Sequence, residues 1–135
     1  MGYSKHMAQI ELRFFTALEP DKMLGIARVA KAAVANAHYG LDEPGPGVIT
    51  LIVPSLAIDM SESDASYELE ISESSDNWPR DPATGELLTH DPATEALGKR
   101  AEVISAALRA SFASESHNIF EVTGIATGWV QYKPE

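Results

Sequence analysis

The chain has no cysteine, and this absence excludes several kinds of chemistry at once. Without thiols there are no disulfides, no cysteine nucleophile and no zinc or iron-sulfur site built on thiolates. Histidine is also sparse, and its four copies never show the His-x-x-x-His spacing of a helical metal site; they are His6, His38, His90 and His117. The sequence also has no glycine-rich phosphate loop and no serine nucleophile elbow. We therefore predict no metal site and no cofactor.

Basic residues are scarce as well. The chain has 10 Lys and Arg residues against 20 Asp and Glu, which gives a formal net charge of -10. Because phosphate binding needs a basic stripe, a nucleic-acid partner is not expected. There is also no run of eighteen apolar residues and no secretory signal pattern, so the sequence predicts no membrane partner. The expected location is the cytoplasm.

The acidic residues are unevenly distributed along the chain. The segment Asp59 to Asp76 contains no Lys or Arg and carries a run of carboxylates: Asp59, Glu62, Asp64, Glu68, Glu70, Glu73 and Asp76. Such a segment is typical of a solvated strand face with its loops, whereas oxygen ligands for a divalent cation are the alternative. We interpret it as a solvated face.

A length of 135 residues with 44% hydrophobic residues suits one globular domain. The dipeptide His6-Met7 is the one that a common cloning site encodes, so we expect residues 1–6 to be a leader and 7–135 to be the domain. Within the domain, Asp81 to Gly85 is a strong turn signal inside an irregular segment. This pattern predicts a hairpin insertion at about 74–91.

The first half of the domain predicts a β-α-β unit. Apolar and polar residues alternate strictly over Ala8 to Phe15, as in a half-buried strand. A helix is predicted over about Asp21 to His38, because apolar residues recur there every three or four positions, and Gly40 is its expected stop. Val48 to Val53 is a continuous β-branched and apolar run, which favours a central strand buried on both faces.

The second half repeats this order. Tyr67 to Ser72 alternates like a strand, and a helix is predicted over about Pro92 to Ala113 with Asp91 as its N-cap. Ile119 to Thr123 is the fourth strand, followed by a short aromatic extension at Trp129 to Tyr132. The result is an α+β domain of order β-α-β-β-α-β, with a four-stranded sheet and two helices on one face. Both a ferredoxin-like and a tautomerase-like arrangement fit this order.

Both ends of the domain resemble one known family. Met7 to Phe14 reads Met-Ala-Gln-Ile-Glu-Leu-Arg-Phe, and Ile119 to Thr123 is followed by Trp129 to Lys133. These stretches resemble the first and last strands of the tautomerase superfamily, especially its 5-carboxymethyl-2-hydroxymuconate isomerase branch. The resemblance implies the tautomerase-like fold and assembly as a homotrimer, in which C-terminal strands contact neighbouring sheets.

The resemblance also implies a chemistry. In that family an amino-terminal proline removes a proton next to a carbonyl, and arginines hold the substrate carboxylate. In this chain Ala8 stands where the proline should be. If Met7 is removed, Ala8 offers a primary amine as the catalytic base, and Arg13 and Arg80 are the candidate holders of a small carboxylate ligand. We therefore expect an isomerase of a small carbonyl acid with weak or lost activity, or alternatively a non-catalytic trimeric ligand-binding or structural module.

Other polar and aromatic residues receive structural interpretations. His38, at a predicted helix end, is interpreted as a partner of the C-terminal helix dipole. His117 precedes the fourth strand in a turn, where we expect solvent exposure. Trp78 and Trp129 are interpreted as residues of the core or of a subunit interface.

Overall fold

The computed structural model describes residues 8–40, 64–73 and 78–135 in full, and the backbone of 48–53. The predicted leader at 1–6 and the acidic residues Asp59, Glu62 and Asp76 lie outside the described residues. Within the described residues, no helix combines the length and the apolar character needed to cross a membrane.

Seven elements follow one another along the chain. They are β1 (Ala8–Phe14), α1 (Pro20–Tyr39), β2 (Val48–Val53), β3 (Tyr67–Glu73), α2 (His90–Ser111), β4 (His117–Thr123) and β5 (Ala126–Tyr132). The strands form one sheet in the order β2-β1-β3-β4-β5. This confirms the predicted α+β order, and β5 extends the four expected strands by a fifth that pairs antiparallel with β4.

The strand pairing distinguishes the two predicted arrangements. β1 pairs directly and in parallel with β2, and β3 does the same with β4, while β1 and β3 are antiparallel. In a ferredoxin-like fold each β-α-β unit is split, so that another strand separates its two parallel strands. The adjacent pairing therefore identifies the tautomerase-like arrangement.

β2 occupies a different place from the one predicted. Val48–Val53 was expected to be a central strand, yet it is the edge strand of the described sheet. A continuous apolar run indicates that both faces of a strand are covered, but it carries no information on whether a strand lies on each side of it. The bounds of β2 are those predicted, but the prediction that it is a central strand was wrong.

The core lies between one face of the sheet and the two helices. Alternate residues of β1 and β3 face this layer, since Ile10 is paired with Ile71 and Leu12 with Leu69, and all four are fully buried. The helices contribute the apolar stripes that the sequence predicted, and their buried members are Ile26, Ala27, Ala30, Val34, Leu97, Ala101, Ile104 and Leu108. All of these helix residues except Leu97 form one hydrophobic cluster with the strand residues.

The helix ends are partly as predicted. α1 begins with Pro20 and ends at Gly40, whose left-handed backbone (φ 66°) lets its N–H reach the carbonyl oxygens of the last turn. For α2 the predicted N-cap was wrong, because the cap is Thr89 and Asp91 lies within the first turn. Pro92 is tolerated there because the first four N–H groups of a helix have no partner within the helix.

β5 packs closely under α2. A Cβ atom added to Gly128 would lie 2.4 Å from the backbone nitrogen of Gly98 in α2. Trp78 covers the turn between β4 and β5, since a Cβ atom on Gly124 would lie 2.7 Å from its ring. Trp78 is therefore partly buried in a second small cluster with Leu88, Ala93, Leu97 and Ala126, in agreement with its interpretation as a core residue.

Candidate functional site

Ala8 begins β1 and is fully buried. Its backbone lies between Val48 of β2 and Glu73 of β3, and its side chain belongs to the layer between sheet and helices. The residue that the resemblance relates to catalysis therefore lies at the end of the sheet where β3 finishes.

Four ionisable side chains meet at this end of the sheet, and we call them the ion cluster: His38, Glu73, Arg100 and Glu121. His38 Nε2 lies 2.5 Å from Glu121 Oε1 and 3.2 Å from Glu73 Oε1. Arg100 Nη2 lies 2.6 Å from Glu121 Oε1 and 3.2 Å from Glu73 Oε2. Each carboxylate therefore lies within 3.2 Å of both His38 and Arg100.

The cluster is closed to solvent except at one member. The side chains of Glu73 and Glu121 are 0% exposed and that of His38 is 1% exposed, whereas Arg100 is 25% exposed. Burial raises the pKa of Glu73, and this effect outweighs the opposite influence of the His38 and Arg100 charges. The adjacent Glu121 raises the pKa of Glu73 further.

Local structure explains why these side chains converge. Glu73 lies in phase with the core residues of β3, and Glu121 lies in phase with Ile119 of β4, so both carboxylates point to the helix-covered face. His38 is in the last turn of α1, where its Nδ1 lies 3.0 Å from the carbonyl oxygen of Val34, one turn earlier. This contact turns Nε2 toward the two carboxylates.

The two predicted arginines lie elsewhere. Arg13 is on the opposite face of β1 from Ala8 and about 16 Å further along the strand, where it pairs with Glu11 at 3.2 Å. Arg80 lies beside the turn in the segment after Trp78, is exposed, and donates from Nη1 to the carbonyl oxygen of Gly85 at 2.9 Å. Their role as carboxylate holders stays a prediction.

A third arginine, Arg100, contacts Glu73, whose backbone is paired with that of Ala8. Sequence reasoning did not select Arg100 or Glu121. It placed Glu73 in the acidic run interpreted as a solvated face, and for Glu73 that interpretation was wrong, because its side chain is 0% exposed. The signal that could have found the two glutamates is their phase, because each occupies a core-facing position of an alternating strand. His38 was interpreted as a dipole partner, and its contacts with two carboxylates depend on residues 35 and 83 positions away.

A second set of buried polar side chains, the His117 network, consists of Tyr67, Ser105 and His117. The Tyr67 hydroxyl lies 3.2 Å from His117 Nδ1, and the Ser105 hydroxyl lies 2.8 Å from His117 Nε2. His117 is fully buried, so its predicted exposure was wrong. Burial lowers the pKa of His117 to about 4, and the nearby Arg109 charge acts in the same direction.

The adjacent β-α-β units, the antiparallel junction between them and the two helices on one face define a tautomerase-like fold. Neither a protein-family model nor a curated protein matches the sequence. Among solved structures, the chain is similar to a macrophage migration inhibitory factor-like protein from Entamoeba histolytica, with a TM-score of 0.51, 14% identity and coverage of 90% of this chain and 99% of that one. This match shows that the chain has the fold of the tautomerase superfamily.

Two further solved structures are similar at lower scores. One is MIF2 of Leishmania major, with a TM-score of 0.46, 16% identity and coverage of 94% of this chain and 98% of that one. The other is a 5-carboxymethyl-2-hydroxymuconate delta-isomerase, with a TM-score of 0.49, 15% identity and coverage of 92% and 85%. At such identities the likeness concerns the fold alone.

Proposed function

We propose that this chain is a weak isomerase of a small carbonyl acid, in which the amine of Ala8 is the base once Met1 to Met7 are removed. The observation that carries this proposal is the position of Ala8 at the head of β1 in a tautomerase-like fold. A primary α-amine has an unperturbed pKa of roughly 7.7 to 8.0, which suits proton abstraction near neutral pH.

Four features support a weak activity. Ala8 lacks the rigid ring of a proline, and Arg13 lies on the other face of β1. Arg100 contacts Glu73, the strand partner of Ala8, but its charge is also engaged by Glu121. A carboxylate beside an amine also favours the protonated amine, which cannot act as a base.

The test compares three forms of the protein in the enolisation of a phenylpyruvate-type probe. The chain beginning at Ala8 should catalyse slowly, and the full chain beginning at Met1 should not, because its Ala8 nitrogen is an amide. The variant Ala8→Pro, also beginning at residue 8, should be faster by at least about tenfold, since a well-placed base contributes roughly 10²- to 10⁴-fold. Equal rates with and without residues 1–7 would refute the role of the amine.

The alternative is a non-catalytic homotrimer that binds a small carboxylate or serves as a structural module. It is favoured by the uncovered face of the sheet, where Trp129 is 50% exposed and packs against Phe120 with ring centroids 6.1 Å apart. β5 is also an edge strand of the described sheet, which makes it available for pairing. An inactive chain beginning at Ala8, together with a trimeric mass by light scattering, would favour this alternative.

A further inference from the structure

The inference concerns the side-chain nitrogen and oxygen atoms of the ion cluster that have lone pairs, and it does not depend on the proposed isomerase activity. One ligand atom from each of His38, Glu73 and Glu121 lies within 4.8 Å of the other two. The three residues come from α1, β3 and β4, so the sheet and a helix hold them in place. This rigid support is what a preorganised binding site requires.

The orientation of His38 determines which of its nitrogens faces the carboxylates as an acceptor. Nδ1 lies 3.0 Å from the carbonyl oxygen of Val34, which can only accept, so Nδ1 carries a proton and donates it. The lone pair of a neutral His38 is then on Nε2, directed at Glu73 and Glu121. Three electron-rich atoms cannot face one another in a buried space unless a cation, either a proton or a metal ion, lies between them.

The hydrogen bonds of the cluster leave some of its oxygens unsatisfied. Among the described residues, Glu73 Oε1 and Glu121 Oε2 are buried and have no hydrogen-bond partner. Glu73 Oε1 lies 3.2 Å from His38 Nε2, which is an ion-pair distance without the geometry of a hydrogen bond. A proton on Nε2 satisfies one oxygen, Glu121 Oε1 at 2.5 Å. A metal ion would bind the nitrogen and both carboxylates together.

We propose that His38, Glu73 and Glu121 bind one divalent transition-metal ion, with Zn²⁺ as the reference ion. One imidazole nitrogen and two carboxylates match the preference of Zn²⁺ for nitrogen and oxygen at about 2.0 to 2.2 Å, and three protein ligands leave a fourth position open. The Nδ1–H bond to Val34 is the outer contact that commonly orients a metal-binding histidine. Mg²⁺ and Ca²⁺ fit less well, because they favour oxygen ligands alone.

Arg100 competes with the metal ion for the same carboxylates. Without a metal ion, the Arg100 guanidinium lies within ion-pair distance of both Glu73 and Glu121. A bound divalent ion would neutralise both carboxylates and so weaken their attraction for Arg100. Arg100 is also the partly exposed member of the cluster, so it lies on the side from which solvent reaches the carboxylates.

The test is calorimetric titration of the full, chelator-treated chain with Zn²⁺, supported by the visible absorption of its Co²⁺ complex. One equivalent of Zn²⁺ should bind. The variants His38→Gln and Glu121→Gln should each weaken binding by at least about 100-fold, because loss of a residue that only orients a metal ligand already weakens binding roughly 10- to 100-fold. Glu70→Gln is the matched control on the exposed face of β3, and His90→Gln is the control for an exposed imidazole. His6→Gln tests whether the remaining histidine near the N-terminus binds the metal ion instead. All three should bind like the unchanged chain.

Arg100→Gln separates a metal site from a purely structural ion cluster. Removal of the competing charge should tighten Zn²⁺ binding by at least about tenfold.

If the ligand variants do not fold, X-ray absorption of the unchanged chain decides, with one nitrogen and two carboxylate ligands expected at about 2.0 to 2.2 Å. The proposal is overturned by the absence of saturable binding, by binding that survives in His38→Gln or is lost in His6→Gln, or by weaker binding in Arg100→Gln. None of these outcomes depends on a free Ala8 amine, so they are distinguishable from failure of the isomerase proposal.

Discussion

The ion cluster and the His117 network lie at opposite ends of β3 and β4, and they differ in charge. The His117 network is at the start of both strands, where Tyr67 is paired with His117. The ion cluster is at their other end, where Glu73 closes β3. Both are buried beneath the helices, in the same layer of the molecule.

The difference lies in how completely the polar atoms are satisfied. In the His117 network both ring nitrogens have a hydroxyl partner, and the ring is neutral at pH 7. In the ion cluster two buried carboxylate oxygens have no hydrogen-bond partner among the described residues. A satisfied neutral network stabilises and specifies a core, whereas the desolvation of buried charges offsets most of their attraction. This contrast is the reason why we interpret the first region as structural and propose that the second binds a metal ion.

The largest effect is expected from breaking the ion cluster. Glu121→Ala leaves His38 and Arg100 with Glu73 as their common partner, and loss of one partner from a buried ion pair costs about 3 to 5 kcal/mol. Urea unfolding at pH 7 measures this loss. The control Glu70→Ala, on the exposed face of β3, should change the free energy of unfolding by less than about 0.5 kcal/mol. A loss below about 1 kcal/mol in Glu121→Ala would mean that the cluster is solvated.

The second effect is a pH dependence specific to the His117 network. The pKa of His117 is about 4 in the folded chain and 6.5 in the unfolded one, so the unfolded chain binds the extra proton between these values. Stability contributed by the neutral ring is therefore fully present above pH 6.5 and is lost as the pH falls to about 4. The loss is roughly 3 kcal/mol, at 1.36 kcal/mol per pKa unit.

Comparison with a variant isolates this contribution from other acid-titrating groups. His117→Gln keeps a donor and an acceptor but does not titrate, so the slope of its unfolding free energy between pH 6.5 and 4 should be smaller than that of the unchanged chain. His90→Gln, at an exposed histidine, should keep the original slope. Identical slopes for all three proteins would contradict the lowered pKa of His117.

The smallest effect is expected from removing one hydroxyl of the neutral network. Ser105→Ala leaves His117 Nε2 buried without its 2.8 Å partner, which costs about 1 to 3 kcal/mol in urea unfolding. The two regions are about 20 Å apart along β3, so this loss should add to that of Glu121→Ala within about 0.5 kcal/mol. A larger deviation from additivity would show that the two regions are coupled.

Local pattern predicted the elements well because the fold uses regular periods. The strict alternation of Ala8 to Phe15 and the three- and four-residue spacing in α1 report burial of one face, which each segment encodes by itself. The edge position of β2 and the full length of β5 were missed. Both depend on which strands become neighbours, and alternation within one segment does not encode that.

The candidate site was less predictable than the fold. Ala8 was selected by resemblance, and its position at the head of β1 agrees with that selection, while the role of the amine stays a prediction. Arg13 was selected by its closeness to Ala8 in sequence, but a strand directs odd and even residues to opposite faces. Arg100 was not considered, because its approach to Glu73 depends on how α2 packs on the sheet.

The sequence by itself determined the order of the strands and helices, the absence of thiol chemistry and the residue at the head of β1, because each is a property of composition or of local spacing. The tertiary structure alone decided that Glu73 and Glu121 meet His38 and Arg100 away from solvent. A glutamate in a strand has the same local signal whether water or a helix covers it. Only the packing of α1 and α2 on one face of the sheet turned two ordinary carboxylates into a candidate metal site.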